Sequence, residues 1–152
     1  MKDELMFVRC TDEYEDVIRE LNREIVSERD ITNLYVIDRK RTKLVIHNGN
    51  VVGYSNTVLI SGNPSFQIGV LKKYRKMGYG RAITERLEEE AFANGYEKII
   101  LLISPRNLKS RQVAESCGYS IDYSVSEVEL NPDNETAMYI TYYKNNYKKI
   151  RW

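Results

Sequence analysis

Apolar residues recur along this chain in two periods, and the switch between them marks out the elements. Tyr14, Val17, Ile18, Leu21 and Ile25 stand at helical spacing, which predicts a helix to about Ser27 with a single apolar stripe. Asp12, with Glu15 three residues on, would open that helix as a capping box. The short apolar run from Leu5 to Arg9 precedes it as a strand. Lys43 to His47 and Val51 to Ile60 flank Asn48-Gly49-Asn50, a hairpin turn. Ser61-Gly62-Asn63-Pro64 then turns the chain into a strand from Ser65 to Leu71, so three consecutive strands form an antiparallel meander. Ile83, Leu87 and Ala91, with Ala82 and Phe92 beside them, predict a helix from Tyr79 to Asn94 that Gly95 stops. Lys98 to Ile103 is a continuous apolar run, as in a strand covered on both faces.

Beyond Ser104-Pro105-Arg106-Asn107 the pattern predicts a short helix through Cys117, closed by Gly118. Tyr119, Ile121, Tyr123 and Val125 alternate, whereas Val128 and Leu130 fall on the opposite parity. One residue of slip moves every side chain to the other face, so a break is expected near Ser126. Asn131-Pro132-Asp133-Asn134 makes a turn, Thr136 to Tyr143 a last strand, and Lys144 to Trp152 a basic, aromatic tail. No repeat or linker divides the chain. A single mixed α/β domain over residues 1–152 is expected, its mostly antiparallel sheet flanked by helices.

Composition narrows the class without naming it. Hydrophobic residues make up 42% and charged residues 30% of the 152, with a formal net charge of +1, as in an ordinary globular domain. That balance lacks the basic excess of most nucleic-acid binders. Cys10 and Cys117 read as buried free thiols in a reducing compartment, and their number and spacing suit neither a disulfide framework nor a metal motif. No apolar run approaches the length of a membrane span, and Met1-Lys2-Asp3-Glu4 turns polar too early for a signal peptide, so no membrane association and a cytoplasmic location are expected.

The chemistry concentrates where the strand ending at Leu71 meets the next helix. Lys72, Lys73, Arg75, Lys76 and Arg81 surround Gly78 and Gly80. Both glycines are expected to allow positive φ and close backbone approach, and the helix behind adds its positive end, which together make an anion site suited to a pyrophosphate. A Walker loop needs Lys and then Ser or Thr at its second glycine, but Gly80 precedes Arg81-Ala82. A Rossmann fingerprint needs a third glycine and an early position in the chain. Arg75-Lys76-Met77-Gly78-Tyr79-Gly80, preceded by Ile68-Gly69-Val70, instead resembles the acyl-CoA pyrophosphate loop of the GNAT acyltransferases. Asn107, Ser110, Gly118 and Tyr119 are similar to that family's following helix, and the predicted element order is similar over nearly the whole chain.

The resemblance implies the GNAT fold, with a splayed pair of strands at its centre. It implies an N-acetyltransferase using acetyl-CoA as co-substrate and passing the acetyl group directly to a primary amine, on a small molecule, a protein N-terminus or a lysine. Ile68, Val70 and Leu71 would pair with pantetheine. The backbone of Arg75, Lys76, Met77, Gly78, Tyr79, Gly80 and Arg81 would cradle the pyrophosphate, and Asn107 and Ser110 would face the pantetheine arm. Val70 N–H would meet the developing oxyanion.

Two departures from the family pattern matter. Gln67 stands where many members carry a glutamate that helps deprotonate the amine, and Gln67 takes up no proton. Ala114 stands where many carry the tyrosine that protonates the leaving thiolate. The Asn-x-x-Ser spacing is similar to the ribosomal-protein type of N-terminal acetyltransferase, which makes Ser110 the first candidate for the leaving group and Tyr119 the second. Each candidate also has a plain reading. Ser110 suits a helix-capping partner, His47 an exposed residue at a hairpin edge, Cys117 helix-end packing, and the tyrosines 139, 142, 143 and 147 core and rim aromatics. A non-catalytic acyl-CoA sensor, or a nucleic-acid or partner-binding domain using Tyr147, Lys148, Lys149, Arg151 and Trp152, are the alternative classes. Both a monomer and a homodimer fit the sequence.

Overall fold

The computed structural model describes residues 1–27, 37–124, 127–130 and 136–147, the side chains of 127–130 and 136–138 aside. Its strands are β1 (Met6–Arg9), β2 (Thr42–His47), β3 (Asn50–Ile60), β4 (Asn63–Val70), β5 (Lys98–Ile103), β6 (Ser120–Ile121), β7 (Glu127–Leu130) and β8 (Thr136–Asn145). Its helices are α1 (Glu15–Ser27), α2 (Tyr79–Ala93) and α3 (Leu108–Ser116). One antiparallel sheet runs β1-β2-β3-β4 and another β5-β8-β6, with β7 also on β8. The mixed α/β class expected from the sequence is the one found. The chain divides into two compact units, Met1–Thr57 with Gln67–Ile83, and Val58–Phe66 with Thr84–Trp152.

In the first unit, the α1 stripe does what its spacing demands. Ile18 and Leu21 are buried with Ile37, Leu44 and Leu71, while Tyr14, Val17 and Ile25 pack around them; each buried aliphatic side chain contributes about 1.5–3 kcal/mol. The helix opens differently from the expected capping box. Asp12–Tyr14 form a 3₁₀ turn behind Thr11, whose hydroxyl turns to Glu13 rather than to a backbone N–H. A turn that tight places Asp12 inside the helical run instead of at its cap. At the first hairpin, Asn48 (φ 51°) and Gly49 (φ 79°) are both left-handed, the mirror-image turn that Asn-Gly favours.

Farther along β3 the register slips. Val45 faces Gly53, yet Ile46 faces Val51, so Val52 is the extra residue of a bulge. Its carbonyl is turned to accept from Leu71 N–H at 2.9 Å. Here β3 and β4 come so close that a Cβ on Gly53 would overlap the Gly69 carbonyl, and one on Gly69 would overlap the Tyr54 ring. Two glycines thus set the spacing of the strand that leads into the basic turn.

In the second unit, β5 pairs with β8 along its whole length, from Lys98 opposite Asn145 to Ile103 opposite Ile140. Its burial alternates, with Ile99, Leu101 and Ile103 buried and the residues between them half-buried; the cover on two faces expected from its composition is incomplete. The predicted parity break is real. Ile121 faces Tyr142 and Glu127 faces Tyr139, so more residues separate the two contacts on the β6–β7 side than on β8, although Ser126 itself lies outside the described residues, as do the 131–134 turn and residues 148–152. Lys144 belongs to β8 and not to a tail. Its ammonium meets Glu88 of α2 at 3.0 Å and the Cys117 carbonyl at 2.7 Å, and lies 5.7 Å from the centre of the Tyr119 ring. Glu88 is buried, so the pair compensates a charge that would otherwise be costly to desolvate. Asn146, also buried, donates to the Phe92 and Tyr96 carbonyls beyond α2.

Candidate functional site

The first unit brings together the predicted residues from Gln67 to Arg81. Leu71, fully buried, anchors the chain as it leaves β4. A 3₁₀ turn over Lys72–Tyr74 follows. Lys72 N–H donates to Glu24 of α1 at 2.8 Å, and Lys73 reaches Glu20 at 3.7 Å, so α1 carboxylates hold the entry to the turn. Arg75 folds back, its Nε donating to the Val70 carbonyl at 3.0 Å. That carbonyl, expected to face pantetheine, already has a partner.

Next the backbone alternates in hand. Arg75 is extended, Lys76 is left-handed at φ 63°, and Gly78 is left-handed at φ 87°. A lysine in that region costs about 1–2 kcal/mol, strain of the kind found where a loop is shaped for a ligand. The Gly78 carbonyl accepts the first helical bond, from Ala82 N–H at 3.0 Å, so Tyr79, Gly80 and Arg81 form the first turn of α2, the end with positive polarity. A Cβ on Gly78 would meet nothing within 4 Å: the space over the loop is open to a ligand. The expectation for Gly80 needs correction. It is helical and its φ is not positive; the left-handed pair is Lys76 and Gly78. Lys76, Met77, Gly78 and Arg81 are exposed, whereas Tyr79 is buried.

Burial of Tyr79 has a specific cause. Its hydroxyl lies 2.7 Å from Nδ1 of His47, and the opposite ring nitrogen of His47, Nε2, lies 2.9 Å from Glu4. The hydrogen bond from His47 holds the Glu4 carboxyl below its ordinary range. The Tyr79 ring also meets the rings of His47 and Tyr74 edge-on. His47 is therefore not the exposed hairpin residue expected from its neighbours, since its side chain is only 10% exposed. No local signal could have revealed this, because its partners are 43 and 32 residues away.

Gln67 is exposed on β4, and its Oε1 accepts from Asn56 Nδ2 at 3.4 Å. Ile68 and Val70 are half-buried on the same strand. The remaining candidates lie in the second unit. Asn107 caps α3, its Oδ1 accepting from Ser110 N–H at 3.2 Å, so the plain capping reading of this spacing is realised, with Ser110 half-buried in the first turn. Ala114 is buried. Tyr119 is buried too, its hydroxyl without a hydrogen bond among the described residues. Burial, and then the neighbouring Glu88 carboxylate, push that phenol far above its usual range, which makes it a reluctant proton donor. Neither Cys10 nor Cys117 is in a disulfide, and Cys117 is the more buried. Burial raises the Cys10 thiol against the smaller opposing effect of Arg39. Among the described residues no cluster of His, Cys, Asp and Glu could hold a metal, and no helix is long and apolar enough to cross a membrane.

No curated protein sequence matches the chain. Solved structures do match in fold. A candidate ribosomal-protein-serine acetyltransferase from Vibrio cholerae aligns with a TM-score of 0.74 at 13% identity, over 95% of each chain. The spermidine N-acetyltransferase of Vibrio cholerae, in complex with CoA and spermine, aligns at 0.70 and 18% over 95% of this chain and 96% of that one. A candidate acetyltransferase from Salmonella typhimurium with its cofactor acetyl-CoA aligns at 0.71 and 14% over 97% of each. The family profile described as Acetyltransferase (GNAT) family matches residues 8–119, which run from the end of β1 past α3 and take in both sequence motifs. By that match, the chain belongs to the GNAT acetyltransferase family.

Proposed function

We propose that this protein is an N-acetyltransferase that moves acetyl from acetyl-CoA to a primary amine by direct attack. The observation that carries the reading is the loop from Arg75 to Arg81. Left-handed Lys76 and Gly78, open space above Gly78 and the N-terminus of α2 offer what a pyrophosphate requires. Its relatives in fold include structures holding CoA or acetyl-CoA. The amine nitrogen attacks the thioester carbonyl, Val70 N–H stabilises the oxyanion, the C–S bond breaks, and the thiolate takes a proton while the amine loses one. Ser110 is the candidate to hydrogen-bond the departing thiolate, ahead of the buried Tyr119. The Asn107–Ser110 spacing and the fold likeness to a candidate ribosomal-protein-serine enzyme favour a protein N-terminus as acceptor. A polyamine is the second choice, on the likeness to the spermidine enzyme. One domain over 1–152 and a cytoplasmic location complete the proposal.

Gln67 shapes the test. An alkylamine has a pKa near about 10.4, so without a strong base the enzyme waits for the neutral fraction. With such an acceptor, release of free thiol from acetyl-CoA should give a kcat/KM rising log-linearly with pH at a slope near one, from about pH 6.5 to 9. An α-amino acceptor, with a pKa of about 7.7–8.0, should flatten the profile above its own pKa. A plateau at one pH for every acceptor would reveal a base elsewhere. Acetyl-CoA binding without thiol release for any amine would favour the non-catalytic sensor, a reading to which Gln67 and Ala114 lend support.

A further inference from the structure

We infer that His47 is a positioning residue for the phosphate end of the acyl donor, acting through Tyr79; this rests on the acetyl-CoA reading of the loop. One tautomer of the neutral ring satisfies both contacts. A carboxylate such as Glu4 only accepts, so in that tautomer Nε2 carries the hydrogen that bridges the 2.9 Å to Glu4. Nδ1 is then a bare acceptor, and the Tyr79 hydroxyl donates to it across 2.7 Å. Three separate segments are tied in one line: the turn Lys2–Glu4, the end of β2, and the first residue of α2. His47 and Tyr74 also meet the Tyr79 ring edge-on, adding packing to the hydrogen bond.

Tyr79 stands between Gly78 and Gly80, inside the first turn whose N–H groups would face the pyrophosphate. Gly78 and Gly80 have no side chains with which to fix the loop, and Lys76, Met77 and Arg81 are exposed. The buried Tyr79 side chain is thus a grip by which the body of the first unit sets the angle of the loop at its helical end, as the Arg75–Val70 bond does at its start. An exposed glycine loop held this way is pre-organised for its anion, and losing the grip should weaken binding at that end of the donor alone.

The experiment compares two donors, acetyl-CoA and S-acetylpantetheine, which carries the same thioester but no pyrophosphate. Tyr79→Phe and His47→Ala should each raise KM for acetyl-CoA about five- to tenfold, the order of one hydrogen bond, with kcat within about twofold. The double variant should be no worse than the worse single one, because both break the same link. The initial rate of His47→Ala with S-acetylpantetheine should not change. His47→Gln, whose amide can donate to Glu4 and accept from Tyr79, should recover most of the lost affinity. Equal losses with both donors, additive effects, or unchanged KM in Tyr79→Phe would overturn the inference. Should wild-type protein bind neither CoA nor acetyl-CoA, the acetyltransferase reading itself fails, and the binding control on unmutated protein tells the two failures apart.

Discussion

Gly78→Val is expected to abolish the stabilisation that acetyl-CoA gives the protein. A ligand bound only by the folded state raises the melting temperature by mass action, and the proposed pyrophosphate site includes the backbone at Gly78. Valine acts there in two ways. Its branched Cβ enters the open space above the loop, and it resists a φ of 87°, so the loop would both lose its concavity and relax towards ordinary backbone. We expect a fall of about 100-fold or more in kcat/KM for acetyl-CoA, roughly 2.7 kcal/mol of lost interaction. The ligand-free protein should lose far less, because the new side chain meets no neighbour. Calorimetric titration with CoA alongside thermal melts separates the two effects, and a valine variant that keeps full affinity would show that the phosphates bind elsewhere.

Gly53→Ala should damage the fold itself. The added methyl would overlap the carbonyl of Gly69, with Gly69 C and Val70 Cα also only 3.1 Å away. All three are backbone atoms, so no side chain can swing aside. β4 would have to leave β3 beside the bulge, stretching the bond from Leu71 N–H to Val52. We expect a loss of more than about 3 kcal/mol, the upper end for overpacking, and a melting temperature lower by about 10 °C. Gly69→Ala should cost less, since its obstacle is the Tyr54 ring, which can rotate. Gly62→Ala should cost only about 1–2 kcal/mol, for its left-handed backbone. Thermal melts that place Gly53→Ala level with Gly62→Ala would disprove the close approach of the two strands.

The elements that periodicity resolved were those whose determinants are local. The stripe Tyr14 to Ile25, the Asn48-Gly49 turn, the span of β5 and the stop at Gly95 each depend on residues within a few positions, and they appear within a residue or two of where the spacing puts them. Gly78 was legible for the same reason. Gly53 was not, because its need for a bare Cα comes from β4, and a lone glycine in a strand pattern has several explanations. His47 was misjudged since burial at a hairpin end is decided by what docks there, in this case Glu4 and Tyr79. Lys144 reads as the start of a basic tail because its interior partners are distant in sequence, Glu88 56 residues earlier and Cys117 27. The cap at Asn107 was visible in the Asn-x-x-Ser spacing, but spacing alone does not distinguish a cap from a group that faces a substrate.

The two compact units have a consequence for how the polypeptide is made. Each is assembled from two separated stretches, and the stretches interleave: 1–57, then 58–66, then 67–83, then the remainder. No single cut in the gene leaves both units whole: one after Ile83 keeps the first but takes Val58–Phe66 from the second. A ribosome that has released residues 1–57 holds α1 and most of β3 but lacks Leu71, the residue that closes the first core, and by the time Leu71 emerges the second unit has already begun with the hairpin tip. Helix α2 then belongs to both, its first turns to one unit and the rest to the other. Halves expressed apart should therefore complement each other poorly, and the nascent chain can complete its first unit only once Ile83, in the first turns of α2, has left the exit tunnel.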